Sequence, residues 1–330
     1  KMKNNKYKSL IVSYKDGKHE STFILNKFRE LEAGEVLVRI KYSSLNYKDA
    51  LSVTGTSKII RRNNLTPGLD FSGIVEKTSS KKFSIGEKVF ASGSGLGELV
   101  DGGFSEYIYI KSDKLLKIPK NLNLLSTMQL GTAGFTAAIA IEKMILNKQN
   151  KILGPILISG AAGGVGSISL NILKILGYET IALTRKKSST SYLKSIGADH
   201  VMYTNIINNS KLLNKKIIGG AIDNIGGDTL DWIIKSTNDG GNVVSVGMAS
   251  NSELNTTVFP FIMRGVNVLG VSSTNYTGDR RKIWRKLSTK YKPKNLKKIN
   301  TKIIDMKNII SLSKKIVSGK NKGRVIIKFS

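Results

Sequence analysis

Three glycines spaced three residues apart are the clearest chemical signal in this chain. Gly160, Gly163 and Gly166 stand in the run 156–166, which an amphipathic stretch follows up to Gly177. The pattern predicts a strand, a tight turn and a helix whose first backbone amides can approach a pyrophosphate. Glycines also fit a cramped strand-to-helix junction that binds nothing. The turn is therefore a candidate nucleotide cradle, and its sequence context decides between the two interpretations.

The residues about 20 positions beyond such a turn select the dinucleotide. Here the next predicted strand, 178–184, ends in Thr184, Arg185, Lys186 and Lys187, with no acidic residue. An NAD site favours a carboxylate for the ribose hydroxyls, whereas a 2′-phosphate favours hydroxyl and cationic donors. The alternative is a solvated loop in a lysine-rich protein. Together with the missing acid, the cations favour NADPH.

Two later predicted strands, 220–224 and 242–247, end on residues that a ligand can approach. Asn224 and Gly247 stand at these ends. Ligands of open parallel sheets bind at the carboxyl ends of the strands. Either end can be a simple turn, but their shared place in the sheet favours contact with a nicotinamide.

Composition excludes several kinds of site. The 330 residues, of which 40% are hydrophobic, suggest two globular domains. The absence of cysteine excludes disulfides, thiolate zinc sites and cysteine nucleophiles, and with only His19 and His200 we expect no metal site. We find no signal peptide and no apolar stretch of transmembrane length, so we expect a cytoplasmic protein that does not contact membranes.

The net charge of +30, from 53 basic and 23 acidic residues, raises the question of nucleic-acid binding. Lysines are scattered along the whole chain, which argues against it. The segment 280–298 differs, because it carries ten basic residues, no acidic one, and the aromatic residues Trp284 and Tyr291. This segment is an RNA-binding face, a lysine-covered helix or a docking patch for an anionic substrate.

The elements that must position these residues fall into two regions. Short apolar runs separated by Gly, Asn, Asp and Pro predict β-structure up to about residue 120. From Ser126 onward, helical periodicity alternates with short apolar strands, which predicts a parallel sheet with crossover helices. We expect an α/β protein with a β-rich domain, 1–125 and 298–330, and a doubly wound dinucleotide domain, 126–297.

Several stretches carry a family resemblance: 43–50 (SSLNYKDA), 67–73 (PGLDFSG), 131–137 (GTAGFTA), 58–62, 192–198 and 260–266. With the glycine turn, they resemble the zinc-free medium-chain dehydrogenase/reductase superfamily, and within it the acryloyl-CoA reductase group, formerly grouped with quinone oxidoreductases. The resemblance implies a GroES-like catalytic domain, a Rossmann domain and a homodimer. It also implies NADPH-dependent reduction of acryloyl-CoA to propionyl-CoA.

That reaction sets physical requirements. Hydride addition to the β-carbon of an enoyl thioester develops negative charge on the thioester oxygen, which needs hydrogen-bond donors, and the α-carbon then needs a proton. Without cysteine or zinc, the best cluster is Asn46, Tyr47, Lys48 and Asp49. Asn46 is expected to donate to the enolate oxygen or the cofactor carboxamide, Tyr47 to line the nicotinamide, Asp49 to orient its neighbours and Lys48 to face water. The alternative is a plain polar turn.

The resemblance also implies contacts with cofactor and substrate. At the strand end, relatives often carry Ser-Gly-Arg, where this chain has Thr-Arg-Lys and so keeps a hydroxyl and a cation. We expect coenzyme A phosphate or thioester contacts from Arg62, Arg281 and Arg324. The implied cofactor contacts are Tyr47, Ala162, Gly163, Gly164, Val165, Thr184, Arg185, Lys186, Met248, Ile262, Ser273 and Ser318.

Two other functions stay open at this point. A reductase of quinones or free enones has no need of the nucleotide portion of coenzyme A, whereas an acyl-CoA enzyme loses apparent affinity when that portion is removed. A basic RNA-binding protein with a vestigial dinucleotide fold binds single strands with a steep salt dependence.

Overall fold

The computed structural model describes residues 6–294 and 296–330, which divide into two compact units. Unit 1 runs up to Thr132 and includes Asn300–Ser330, and unit 2 is Ala133–Ile299. The boundaries expected from the sequence, after 125 and before 298, lie a few residues earlier in each case.

The strands and helices are as follows, in chain order. The strands are β1 (Lys6–Lys15), β2 (Lys18–Lys27), β3 (Glu35–Ser44), β4 (Asp70–Thr78), β5 (Lys88–Ser92), β6 (Tyr107–Lys111), β7 (Leu116–Lys117), β8 (Ile156–Ile158), β9 (Thr180–Thr184), β10 (His200–Tyr203), β11 (Ile218–Asp223), β12 (Thr237–Ser245), β13 (Asn267–Gly270), β14 (Asn300–Asp305) and β15 (Arg324–Lys328). The helices are α1 (Tyr47–Thr54), α2 (Leu124–Leu146), α3 (Gly164–Ile175), α4 (Thr190–Ser195), α5 (Gly227–Ser236), α6 (Phe259–Arg264), α7 (Arg280–Leu287), α8 (Leu296–Ile299) and α9 (Ile309–Val317).

Unit 1 is built on a mostly antiparallel sheet. Its strand order is β14-β15-β3-β4-β5-β7, β6 also pairs with β3, and β1 and β2 form a separate hairpin. The inward residues of β3, including Val36, Val38 and Ile40, pack with Phe71 and Phe104 in one core. Helix α1 follows β3 directly, so the end of this strand fixes where Asn46 and Tyr47 lie.

Unit 2 contains a six-stranded sheet in the order β10-β9-β8-β11-β12-β13, in which every pair is parallel. Counted from β8, this is the 3-2-1-4-5-6 order of the dinucleotide-binding fold, and the expected fold class is confirmed. Strand β12 begins at Thr237 rather than at 242, because the polar residues 238–241 conceal its apolar pattern. The central strand β8 leads directly into the glycine turn.

Helix α2 is longer and more apolar than we expected of any segment of this chain. Its 23 residues include an 18-residue window of mean hydropathy 1.4, which is long and apolar enough to cross a membrane, so the statement that no such stretch exists was wrong. However, 83% of that window is buried within the protein, and the dihedral angles of Gly131 (φ 51°, ψ −154°) interrupt the helix. A buried core helix can be as long and as apolar as a membrane-spanning helix, and α2 has the burial of a core helix.

Candidate functional site

The glycine turn between β8 and α3 has the geometry of a phosphate cradle. Gly160 has φ +56°, and its carbonyl oxygen accepts a hydrogen bond from the Gly163 amide at 2.9 Å. A Cβ at Gly166 would lie 2.6 Å from the Gly160 carbonyl oxygen and 2.7 Å from the Ala161 Cα, so no side chain fits there. The helix can therefore pack close to the strand, with Gly163 as its N-cap. The outward-facing residues of the turn are Ala162, Gly163, Gly164 and Val165.

A buried polar cluster ties the ends of β8 and β11 together beside this turn. The Asp223 carboxylate accepts hydrogen bonds from Ser159 Oγ at 2.5 Å and from the Gly226 amide at 2.8 Å. Burial raises the pKa of Asp223. The Asn224 side-chain amide donates to the Ser159 carbonyl at 2.8 Å, and a Cβ at Gly247 would lie 2.8 Å from the Asn224 carbonyl oxygen. The structure thus brings Asn224 and Gly247 together at one edge of the sheet.

The end of β9 presents a hydroxyl followed by cations. Thr184 is largely buried, and its Oγ1 accepts a hydrogen bond from the backbone amide of Lys186 at 3.2 Å. Arg185, Lys186 and Lys187 are exposed. Because β9 neighbours β8, these cations stand at the edge of the sheet that carries the glycine turn. This arrangement suits a 2′-phosphate.

The remaining predicted contacts are more dispersed. Met248 and Ile262, in unit 2, are 70% and 75% exposed. Ser273 follows β13, and its carbonyl oxygen accepts a hydrogen bond from Arg280 Nη1 at 3.0 Å. Ser318 belongs to unit 1, where it caps the C-terminus of α9 and donates its Oγ to the Lys315 carbonyl at 3.1 Å.

In unit 1, Asn46 and Asp49 form a reciprocal cap at the start of α1. Asp49 Oδ2 accepts hydrogen bonds from the Asn46 backbone amide at 3.0 Å and from its side-chain amide at 2.9 Å. Asp49 Oδ1 accepts from the Leu69 amide at 2.9 Å. Burial, together with the nearby carboxylate of Asp70, raises the pKa of Asp49 to about 7. Asp49 thus holds the backbone and the side chain of Asn46, as its expected role in orienting its neighbours requires.

A buried arginine from the C-terminal strand completes this network. Arg324 is 2% exposed and donates to the carbonyl oxygens of Gln129 and Met128, each at 3.1 Å. Its Nη1 also donates to Asn46 Oδ1 at 2.8 Å. Burial lowers the pKa of Arg324. Because the guanidinium is buried and bonded to internal acceptors, it does not fit the predicted contact with coenzyme A, and we assign it to orienting Asn46.

The Asn46 side chain has partners on both its nitrogen and its oxygen, and its expected role as a donor to the substrate or cofactor stays a prediction. Its amide nitrogen is directed at Asp49 Oδ2, and its oxygen accepts from Arg324. Tyr47, the first residue of α1, is 40% exposed and stands at the outer side of this turn. Lys48 does not simply face water, since its Nζ lies 2.6 Å from Glu98 Oε2. The solvent-facing side chain of the cluster is therefore Tyr47.

Sequence reasoning missed the carboxylate at the centre of the network. Asp70 is fully buried and accepts hydrogen bonds from Ser44 Oγ at 2.5 Å and from the Thr132 amide at 2.7 Å. A Cβ at Gly131 would lie 2.7 Å from Asp70 Oδ2 and 2.6 Å from Arg324 Nη2, so α2 bends around these two groups. An acid inside an otherwise apolar stretch, 67–73, was the signal available in the sequence.

We expect the free energy of unfolding to fall as pH rises from about 4 to about 7, because folded Asp49 keeps its proton to about 7 whereas the ordinary value is 3.8. The folded state then binds more protons in this window, and the fall amounts to about 4 kcal/mol at most and ends above the folded pKa. Urea unfolding at pH 5 and pH 8 measures it. In Asp49→Asn the difference between these pH values should shrink, and an equal slope in both proteins would contradict the assignment.

The other two predicted arginines lie at the surface. Arg62 Nη2 pairs with Asp101 Oδ2 at 3.0 Å, and its side chain is 55% exposed. Arg281 is the second residue of α7, its Nε lies 3.3 Å from Oδ1 of the N-cap Asp279, and its side chain is 77% exposed. Both cations are accessible to an anionic ligand.

The aromatic residues of the basic segment are core residues. Trp284 is 1% exposed and Tyr291 is fully buried, while α7 also buries Ile283 and Leu287. Stacking of bases on exposed aromatic rings is what binds single-stranded RNA without sequence preference. The interpretation of this segment as an aromatic RNA-binding face is therefore wrong, and the lysine-covered helix and the docking patch for an anionic substrate remain.

Within the described ranges, no three or more His, Asp or Glu side chains group together as metal ligands. A family model described as "Alcohol dehydrogenase GroES-like domain" matches residues 32–120, and one described as "Zinc-binding dehydrogenase" matches residues 164–289. This sequence contains no cysteine and only two histidines, so the thiolate and imidazole ligands typical of zinc are lacking.

Two curated relatives extend over nearly the whole chain. The probable acrylyl-CoA reductase AcuI of Escherichia coli (strain K12) is 36% identical over 97% of this chain and 99% of its own length. The putative quinone oxidoreductase YhfP of Bacillus subtilis (strain 168) is 35% identical over 91% of this chain and 92% of its own.

Solved structures agree with these relatives. The yhdH oxidoreductase from Salmonella enterica, in complex with NADP, superposes with a TM-score of 0.92 at 34% identity, covering 98% of this chain and 100% of that one. Bacillus subtilis yhfP with NAD bound superposes with a TM-score of 0.92 at 32% identity, covering 99% and 100%. The chain therefore belongs to the zinc-free, quinone oxidoreductase-like group of the medium-chain dehydrogenase/reductase superfamily.

Proposed function

We propose that this protein is an NADPH-dependent oxidoreductase that reduces acryloyl-CoA to propionyl-CoA. The glycine turn, with Thr184, Arg185 and Lys186 at the end of the neighbouring strand, is the observation that carries the cofactor assignment. The solved relative with NADP supports NADPH, and the relative named as a probable acrylyl-CoA reductase supports the substrate.

The chain's own residues have distinct tasks in this reaction. When bound, NADPH supplies the hydride. The residues 160–166 hold the pyrophosphate, because the backbone amides at the start of α3 face outward and no side chain obstructs the cradle. Asn224 and Gly247 border the nicotinamide end, and we also assign weaker contacts to Met248, Ile262 and Ser273 there.

Tyr47 is the residue that we assign to the substrate. In the part of the chain that the structure describes, its hydroxyl makes no hydrogen bond, and its ring is 40% exposed. A phenol can donate a hydrogen bond to the thioester oxygen as negative charge develops there. The network of Asn46, Asp49 and Arg324 keeps the turn before α1 rigid, so that the donor is preorganised. We place Arg62 and Arg281 among the candidates for the phosphates of coenzyme A.

Reduction of a quinone is the second candidate, because the Bacillus subtilis relative is named a putative quinone oxidoreductase. The test is NADPH oxidation with acryloyl-CoA, crotonyl-CoA and a simple quinone side by side, repeated with NADH. We expect turnover with acryloyl-CoA and NADPH. Turnover with the quinone alone would overturn the substrate assignment and leave the cofactor assignment intact.

The cations at the end of β9 should determine the preference for NADPH. We expect the double variant Arg185→Ala/Lys186→Ala to raise KM for NADPH by about 10- to 100-fold and to leave KM for NADH nearly unchanged, because the contacts of these two exposed cations with a 2′-phosphate are together worth about 1.5–3 kcal/mol. Steady-state kinetics with both cofactors measure this. Lys211→Ala, at another exposed lysine, is the matched control. Equal losses with NADH would contradict the 2′-phosphate assignment.

We further propose that the protein is a cytoplasmic homodimer. Exposed apolar side chains lie on the edge strand β13, on α6 and at the N-cap of α6: Val268 at 39%, Met263 at 65% and Val258 at 62% exposure. Burying such side chains against a second copy would remove apolar surface from water. Light scattering should give twice the chain mass, and Val268→Asp should shift it toward the monomer. A monomeric wild-type protein would refute the dimer.

A further inference from the structure

The segment 271–279 leaves the carboxyl end of β13 and leads into α7. Strand β13 is parallel to β12, so this segment starts at the same edge of the sheet as the glycine turn and Gly247. Ligands of such sheets bind along this edge. The segment also carries Ser273. Whatever fixes its path therefore shapes one wall of the dinucleotide site.

Arg280 fixes that path through two contacts. Its Nη1 donates a hydrogen bond to the Ser273 carbonyl at 3.0 Å, seven residues back along the chain. Its guanidinium carbon lies 4.1 Å from the centroid of the Phe135 ring, in α2. Burial lowers the pKa of Arg280 to about 10. A desolvated cation over an aromatic face is a strong contact, so the guanidinium clamps the segment to a buried helix.

A tyrosine of the same segment also contacts the Phe135 ring. Tyr276 meets Phe135 edge to face, with ring centroids 5.3 Å apart at an interplanar angle of 85°. A Cβ at Gly278 would lie 2.5 Å from the Tyr276 hydroxyl, so the chain passes close to the outer end of this ring. Phe135 is fully buried and also stacks on Trp284. Tyr276, within the segment, and Arg280, directly after it, therefore both contact the buried ring of Phe135.

We propose that Arg280 is a positioning residue for the nicotinamide end of the dinucleotide site, acting by holding the Ser273 segment in its bound path. The proposal rests on the NADPH assignment made above. It predicts that Arg280 affects the nicotinamide half of the cofactor and not the adenosine half, since the 2′-phosphate and the pyrophosphate are held by the ends of β8 and β9. If Arg280 contributed only to the stability of the fold, its substitution would weaken binding of the nicotinamide half and of the adenosine half of the cofactor equally.

The test compares NADPH with 2′,5′-ADP, which lacks the nicotinamide. We expect Arg280→Met to raise Kd for NADPH by about tenfold, as small displacements of positioning groups do, with Kd for 2′,5′-ADP within about twofold of the wild type. Arg280→Lys keeps the cation over Phe135 but loses the planar guanidinium. Its Kd for NADPH should therefore lie between those of the wild type and Arg280→Met. Lys282→Met, on the exposed face of α7, is the control.

The outcomes separate this proposal from the function on which it rests. A wild-type protein that binds neither ligand overturns the NADPH assignment. A wild-type protein that binds both, with Arg280→Met unchanged or weakened equally for the two ligands, overturns the role of Arg280 alone. Thermal unfolding of each variant shows whether the protein is folded, and Arg280→Lys provides the same comparison if Arg280→Met does not fold.

Discussion

Arg324→Met should lower the free energy of unfolding by about 3–5 kcal/mol, the usual loss when one partner of a buried charge network is removed. The substitution leaves the carbonyl oxygens of Met128 and Gln129 and the Asn46 Oδ1 without their donor. It also removes the cation beside the buried carboxylates of Asp49 and Asp70. Methionine has a similar length, so the loss reflects charge and hydrogen bonds more than an empty volume.

The same variant should lower kcat by about 10- to 100-fold while KM for NADPH changes little, because the turn before α1 loses its orientation and residues 160–166 do not. Urea unfolding and steady-state kinetics measure the two effects separately. Arg324→Lys retains the charge with fewer donors and should recover part of the stability.

The control for this experiment lies on the same strand. Lys328 is exposed at the end of β15, and Lys328→Met should change stability by less than about 0.5 kcal/mol. If Arg324→Met were as stable as Lys328→Met, the guanidinium would not be the centre of the network. If stability fell but kcat stayed at the wild-type value, Arg324 would be a structural residue only.

This network also shows where prediction from the sequence ends. Arg324 and Asn46 are 278 residues apart, and two acceptors of the arginine are backbone carbonyls, which every residue type carries. No local pattern signals such a contact. A free surface arginine and this buried one look alike in the sequence, and Arg324 was therefore assigned to a coenzyme A phosphate.

The glycine turn was predictable for the opposite reason. Its requirements are local: a positive φ at Gly160, and no room for a Cβ at Gly166 against a carbonyl six residues earlier. Each requirement leaves a glycine in the sequence at a fixed spacing. The parallel sheet was likewise predictable from apolar runs, except where polar residues begin β12. The orientation of the Asn46 amide depends on distant partners such as Arg324, which no local pattern in the sequence shows.

Gly166→Val tests the cradle directly and should have the largest effect on cofactor binding. The new side chain would place Cβ within 2.6 Å of the Gly160 carbonyl oxygen and 2.7 Å of the Ala161 Cα, and both are backbone atoms that cannot rotate away. Helix α3 must then move away from β8, which takes the amides at its start out of reach of the pyrophosphate. We expect Kd for NADPH to rise more than about 100-fold, since several charge-assisted hydrogen bonds are lost together.

Overpacking of this kind should also cost about 1–3 kcal/mol of stability, so binding and folding must be measured on the same samples. Gly34→Ala is the matched control, because a Cβ at Gly34 meets nothing within 4 Å and its φ of +75° lowers stability without displacing α3. Gly163→Ala should have an intermediate effect, since its Cβ would approach the Gly160 carbonyl oxygen only to 3.2 Å. Unchanged NADPH affinity in a folded Gly166→Val protein would mean that the turn is a packing device, because a phosphate cradle cannot keep its geometry once α3 is displaced.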